Sequence, residues 1–343
     1  MIVAVTGVTG FIGAQVTAAL LAQGHTVHGT TRDPTVRSKT DSVIALDGAA
    51  DRLTLFSASL DDSSSFDETF DGCDVVIHVA SPFFVDAEDP QRDLVDPAVK
   101  GTVGVLQAAQ RASVRRVVVT SSTVAIFDAA DGRVYTEADW NEQSSLTRNP
   151  YPYSKTLAER AAWDFIEGES PDIDLVVINP GMVLGPSIVS SVSTSNRVIA
   201  DMLNGGVYPG IPDMAFAAVD VRDVADAHVA AAEKPDASGR YLCAAGVLSM
   251  ADMASILKAN GFDDYKVPSL SLRSGFGRFL TRQFARLQAP GMRSLIETNV
   301  GRIPSINNTK IRTELDIVFR ELQDSVVETA ENLVEWGHVG RSA

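Results

Sequence analysis

Apolar residues in the first half of the chain fall into two alternating patterns. Short runs of strand length, rich in Val, Ile and Thr, occupy residues 2–6, 26–31, 53–57, 75–79, 117–120 and 175–178. Between them, residues 11–22, 90–111 and 151–167 repeat apolar positions at helical spacing. Gly24 closes the first helix and Asn179-Pro180 ends the sixth strand. Strands that are apolar on both faces and joined by helices predict a parallel sheet covered on both sides. The expected fold class is α/β, a doubly wound parallel sheet of the Rossmann type.

Beyond Pro180 the regularity loosens. Residues 187–196, rich in Ser and Val, read as a mobile loop. Residues 276–287 carry apolar positions at helical spacing, with Arg278, Arg282 and Arg286 on another stripe. Residues 325–336 predict an amphipathic helix. The expected division is a first domain over 1–180, with elements of about 215–245 returning to it, and a smaller, discontinuous substrate lobe over most of 181–343.

Composition sets limits on partners. With 45% hydrophobic and 21% charged residues, the 343-residue chain is ordinary for a globular protein of one large or two small domains. A net charge of −15 lacks the basic footprint that nucleic acid or an anionic membrane surface requires, so neither is an expected partner. No apolar run approaches the ~20 residues of a membrane span. Met1-Ile2-Val3-Ala4-Val5 has no charged leader, and a cytoplasmic protein, monomer or homodimer, is expected. Cys73 and Cys243 lie far apart in apolar, strand-like runs and read as buried free thiols, and no metal site is expected.

The first strand runs into Thr6-Gly7-Val8-Thr9-Gly10-Phe11-Ile12-Gly13, a Gly-x-x-Gly-x-x-Gly loop that opens a helix. Gly7 permits a tight turn, Gly10 lets backbone approach a pyrophosphate, and Gly13 lets helix and strand pack closely. The helix N-terminus then presents free N–H groups to the anion. An NAD site has a carboxylate about 20 residues on, at the end of the second strand. Here that end is Thr30-Thr31, followed by Arg32 and, further on, Lys39. Two cations suit a 2′-phosphate, so NADP is the expected cofactor. Asp33 has the contrary sign and is expected to pair with a neighbour or cap the next turn.

Tyr151-Pro152-Tyr153-Ser154-Lys155 places a Tyr and a Lys four apart, on one face of a helix. An ammonium beside a phenol favours phenolate and lowers the tyrosine pKa toward working pH. Such an acid can protonate a developing alkoxide. Tyr153, two residues from Lys155, faces elsewhere. The fifth strand ends in Val119-Thr120-Ser121-Ser122-Thr123, at the rim where such sheets bind ligands. A hydroxyl there can hold the substrate oxygen. Spacing does not separate Ser121, Ser122 and Thr123.

Together these residues resemble the extended short-chain dehydrogenase/reductase family. Residues Thr6 to Gly13 look like its nucleotide motif and Tyr151 to Lys155 like its active-site motif. Val79-Ala80-Ser81-Pro82 is similar to the segment beneath the cofactor, and Asn179-Pro180-Gly181-Met182-Val183 to the one bordering the nicotinamide. Val219-Asp220-Val221-Arg222-Asp223-Val224-Ala225 matches a further helix-start signature. Thr31-Arg32-Asp33-Pro34, His78 to Pro82 and Tyr151 to Glu159 resemble the subgroup of dihydroflavonol reductases, cinnamoyl-CoA reductases and yeast-type carbonyl reductases.

The resemblance implies that Ser122, Tyr151 and Lys155 are catalytic. It implies that Thr9, Phe11 and Ile12 join the three loop glycines on the cofactor, that Arg32 and Lys39 hold the 2′-phosphate, and that Thr120 lies along it. Ser59 stands where the family often has an Asp on the adenine, beside Leu60. Phe83, Phe84, Val124 and Met182 would line an apolar pocket with Ser122 and Tyr151, suiting an aryl or alkyl carbonyl. The expected activity is NADPH-dependent reduction of an aldehyde or ketone. The alternatives are an NAD-dependent sugar-nucleotide epimerase or hydroxysteroid dehydrogenase, which Arg32 and Lys39 oppose, and a non-catalytic dinucleotide sensor, which Tyr151 and Lys155 oppose.

Overall fold

The structure is a computed structural model that describes residues 1–81, 87–170, 172–207 and 210–340. Its centre is a seven-stranded sheet of β1 (Ile2–Thr6), β2 (Thr26–Thr31), β3 (Leu53–Ser57), β4 (Val75–His78), β5 (Arg116–Thr120), β6 (Asp174–Pro180) and β7 (Gly239–Cys243). The strands lie in the order β7-β6-β5-β4-β1-β2-β3. Every pairing is parallel, as the unbroken apolar runs predict.

The two-residue period of a strand divides the sheet's side chains between two cores. Val3, Val5, Ile77, Val118 and Val176 point to one face, where α1 (Phe11–Ala22) and α4 (Val221–Glu233) cover them. Ala4, Val76, Val117, Val119 and Val177 point to the other, beneath α2 (Asp96–Arg111) and α3 (Pro150–Glu169). Fully burying a Val or Ile contributes about 1.5–3 kcal/mol, so neither face tolerates solvent. Asp220 caps α4 through a bond from Arg222 N to its carboxylate (2.8 Å).

Ala215–Asp220 does not return to the large sheet. It forms a three-stranded sheet, parallel to Met182–Leu184 and antiparallel to Gly246–Ser249. Of the segment near 215–245, Gly239–Cys243 and α4 join the first layer system. A separate core gathers Ile199, Met202, Leu203, Met253, Leu257 and Val326 in the C-terminal half.

Several local readings change. The segment 187–196 is not loop throughout, because Ser193 caps a helix over Thr194–Asn204 by accepting from Asn196 N (3.0 Å). The loop before it is tied down: Ser187 N donates to Asn332 Oδ1 (2.8 Å) and Ser190 O meets the His338 ring (2.6 Å). The helix expected from residue 90 begins with a wide turn, Gln91–Val95, before α2. Cys73 sits in the turn before β4, not in a strand, and both thiols are buried and free. Among the described residues no helix is long and apolar enough to cross a membrane.

The loop after β1 depends on two glycines. Gly7 has φ +72°, and a Cβ on Gly13 would lie 2.2 Å from Gly7 O. Gly168, within α3, has nothing within 4 Å of its own would-be Cβ. Urea unfolding should therefore separate them. Gly13→Ala is expected to lose about 1–3 kcal/mol, from overpacking against backbone. Gly168→Ala is expected to gain roughly 0.5–1 kcal/mol, from helix propensity alone.

Candidate active site

Strand order reverses between β1 and β4, and a cleft of about 950 Å³ opens there along the carboxyl ends of the strands. All of the residues expected at a cofactor line it, from Gly7 through Gly13, Arg32, Lys39, Ser59, Leu60 and Val79–Ser81 to Thr120, Tyr151, Lys155, Pro180, Gly181 and Val183. Ser122 lines it too, as do residues 189–195 at the start of the second lobe. Val124 and Met182 do not. Val124 bonds by its carbonyl to Asn141, and Met182 packs against the second core. Phe83 and Phe84 lie outside the described residues.

Each wall of the cleft is pinned by a short polar contact. Thr6 Oγ1 accepts from Val79 N (3.1 Å) and Ala80 N (3.0 Å), so its proton goes to His78 Nδ1 (2.8 Å). Burial, aided by the Lys155 charge, holds His78 neutral, with its pKa down to about 3. At the end of β5, Thr120 donates to Nε2 of His228 on α4 (2.7 Å), whose Nδ1 donates to Val224 O (2.7 Å). Burial lowers His228 to about 4, which keeps this tautomer neutral.

The three hydroxyls that spacing left equivalent are distinct in the structure. Ser121 is buried and donates to Glu159 Oε2 (2.5 Å). Thr123 is buried at the start of a 3-10 turn. Ser122 alone of the three remains partly exposed, and its hydroxyl bonds the Tyr151 phenol.

The start of α3 sets the tyrosine. Asn149 holds a left-handed backbone (φ +50°), stabilised by its side chain donating to Asp128 (2.6 Å) and by its N–H donating to Ser294 Oγ (3.0 Å). Pro150 then begins the helix. Tyr151 faces the cleft, whereas Tyr153 does not line it. Lys155 donates to Ser81 Oγ (2.9 Å).

The expected lowering of the Tyr151 pKa is not what its surroundings produce. Burial pushes the phenol above its ordinary value, and the Ser122 hydrogen bond opposes this only in part. Burial pulls Lys155 down to about 8, against the charge of Glu159. At neutral pH the pair is therefore a protonated phenol beside an ammonium.

At the outer rim Arg32 and Lys39 are exposed. Asp33 accepts from Thr35 N (2.8 Å) and Thr35 Oγ1 (2.6 Å), which holds its carboxyl below the usual range. Its contrary charge is thus engaged in the turn. Ser59 Oγ accepts weakly from Asp61 N (3.4 Å), and Asp61 lines the cleft next to it. Glu159 and Arg240 were not anticipated as site residues. The spacing Lys155-x-x-x-Glu159 carried a signal for the first; nothing local carried one for the second.

Comparison with known proteins agrees with this architecture. The NAD dependent epimerase/dehydratase family matches residues 3–244. Cinnamoyl-CoA reductase CAD2 of Medicago truncatula is 41% identical over 267 residues, 75% of this chain and 80% of that one. Cinnamoyl-CoA reductase 1 of Petunia hybrida is 36% identical over 98% of this chain and 93% of its own. The yeast methylglyoxal/isovaleraldehyde reductase Gre2, solved with NADPH, superposes with TM-score 0.79 at 26% identity, covering 99% of this chain and 100% of that one. By its sequence match and its sheet, the chain belongs to the NAD dependent epimerase/dehydratase family.

Proposed function

We propose that the chain is an NADPH-dependent carbonyl reductase, converting an aldehyde or ketone to the alcohol. The observation that carries this is the Ser122–Tyr151 hydrogen bond in the same cleft as the glycine loop and Lys155. The three relatives named above are reductases, which supports it.

The residues fit a phosphorylated dinucleotide. Gly13 leaves no room for a Cβ against Gly7 O, which seats the start of α1 close to the loop, and Gly10 lets backbone approach an anion there. Arg32 and Lys39 stand exposed at the far rim while Thr35 occupies Asp33. That arrangement favours a 2′-phosphate over a bare ribose. When bound, NADPH supplies the hydride for the carbonyl carbon.

The chain's own groups handle the oxygen. Ser122 positions it, and Tyr151 gives it a proton as negative charge develops. A phenol raised by burial stays protonated through the neutral range, which loads it for reduction. Lys155, ammonium below about pH 8, steadies the phenolate that remains. The substrate enters beside residues 189–195.

Two measurements test this. Tyr151→Phe is expected to lower kcat by about 10²-fold or more, with NADPH binding by fluorescence unchanged; an unaltered kcat overturns the assignment. The Arg32→Ala/Lys39→Ala double variant should weaken NADPH binding by about tenfold or more, the value of charged hydrogen bonds. NADH binding should stay the same, so an equal loss for both cofactors would contradict the 2′-phosphate site.

A further inference from the structure

A buried ion pair not used above lies behind Lys155. Glu159 is one turn further along α3 and fully buried. It accepts from Ser121 Oγ (2.5 Å), Asn179 Nδ2 (2.8 Å) and Arg240 Nε (2.5 Å). Arg240 on β7 is itself buried, donates to the carbonyls of Glu137 (2.9 Å) and Asp139 (2.5 Å), and lies 3.9 Å over the Trp140 ring. A buried ion pair is weak evidence for stability, since apolar residues of similar volume do as well or better. Its position calls for another account.

A small chamber lies between Glu159 and the cleft. It has a volume of about 10 Å³, and its polar lining includes His78, Ser81, Thr120, Ser121, Lys155 and Glu159. That is about the space and polarity one water requires. Ser81, Ser121 and Lys155 line both the chamber and the cleft.

We infer that Glu159 is a positioning residue for the proposed reduction: its carboxylate, held by Ser121, Asn179 and Arg240, is the counter-charge that keeps Lys155 an ammonium beside Tyr151. The inference rests on the reductase reading above. Burial alone drives Lys155 toward the neutral amine, and Glu159 is the influence that opposes it. Among the described residues, the other groups facing Lys155 add no negative charge. His78 on β4 is neutral, Tyr151 on α3 is protonated, and α2 contributes only the Thr102 hydroxyl. Arg240 approaches from β7 on the far side of Glu159 and partly cancels it.

The signs follow. Removing the carboxylate leaves Arg240 uncompensated and lowers the Lys155 pKa. Removing Arg240 leaves Glu159 uncompensated and raises it. Activity is lost as Lys155 deprotonates, so the alkaline limb of kcat/KM reports that pKa.

The test is the pH profile of kcat/KM with NADPH and an aryl aldehyde, for wild type, Glu159→Gln and Arg240→Gln. The wild-type alkaline limb should centre near pH 8. In Glu159→Gln it should move to lower pH by about one unit or more, so that kcat/KM falls about fivefold or more at pH 8 and recovers toward wild type near pH 6. In Arg240→Gln it should move the other way. A merely structural role would lower melting temperature in both variants and leave both limbs in place, which overturns the inference. If Glu159→Gln does not fold, Arg240→Gln decides alone: an alkaline-shifted limb supports Glu159, and an unmoved or acid-shifted one rejects it. If neither variant folds, Glu159→Asp, which keeps the charge but draws it back by one methylene, decides: an acid-shifted limb supports the role and an unmoved one rejects it. No turnover of any carbonyl by the wild type would instead remove the reductase reading itself.

Discussion

The reversal of strand order between β1 and β4 is the constraint on which the rest of the molecule depends. Chain leaving β1 turns one way into α1, and chain leaving β4 turns the other way toward α2. Neither connection can cover the gap between the two strand ends. A sheet buried on both faces is thus left open along one edge of its rim, where backbone N–H groups and strand-end hydroxyls are concentrated. The width of that opening is set by contact distances rather than by side-chain chemistry. Gly13 brings α1 against Gly7 O, and the Thr6 hydroxyl draws in the backbone of Val79 and Ala80. The cleft is consequently a property of the sheet's topology, and Ser122, Tyr151 and Lys155 are added to it from the end of β5 and from α3.

Most of that scaffold could be read from the chain. Continuous apolar runs reveal parallel strands because only a strand covered on both faces can afford them. The Gly-x-x-Gly-x-x-Gly loop and the Tyr151-to-Lys155 spacing are local patterns with local physical meanings. What stayed hidden has a common cause: it depends on partners distant in sequence. Ser121, Ser122 and Thr123 differ only because Glu159 claims the first and burial encloses the third. The Tyr151 pKa runs opposite to the expectation from Lys155 because desolvation, invisible in a four-residue spacing, raises it and only the Ser122 hydrogen bond opposes this. The helix at Thr194–Asn204 was concealed by the Ser-rich stretch that supplies its cap. Ala215–Asp220 reads like any apolar strand, and only its neighbours Met182–Leu184 and Gly246–Ser249 show that it belongs to a second sheet.

The site also ties the two halves of the chain together more tightly than a boundary near residue 180 implies. Asn149, whose left-handed turn aims α3, is held from one side by Asp128 and from the other by Ser294. A left-handed conformation in a residue other than glycine costs energy that only surrounding contacts can offset. Ser294 lies in the C-terminal helix over Pro290–Asn299, so the second lobe helps determine where Tyr151 stands. Gly185 N donates to Thr329 Oγ1 (2.7 Å) in another C-terminal helix, fixing the strand that follows Gly181 on the opposite wall.

Electrostatically the same coupling recurs at the back of the site. His78 and His228, the two imidazoles nearest the strand ends, are both neutral, so they orient hydroxyls without adding charge. The charges behind Lys155 are Glu159 and Arg240, and they come from α3 and from β7, the edge strand supplied after the second lobe has begun. In a region of low dielectric a charge of either sign acts at longer range than in water. A lobe that changes to accept a different carbonyl can alter β7, and with it the charge balance behind Lys155, without touching Tyr151. On the proposed reading, substrate choice and acid strength would both be adjustable from the C-terminal half of the chain, although Tyr151 stands on the other.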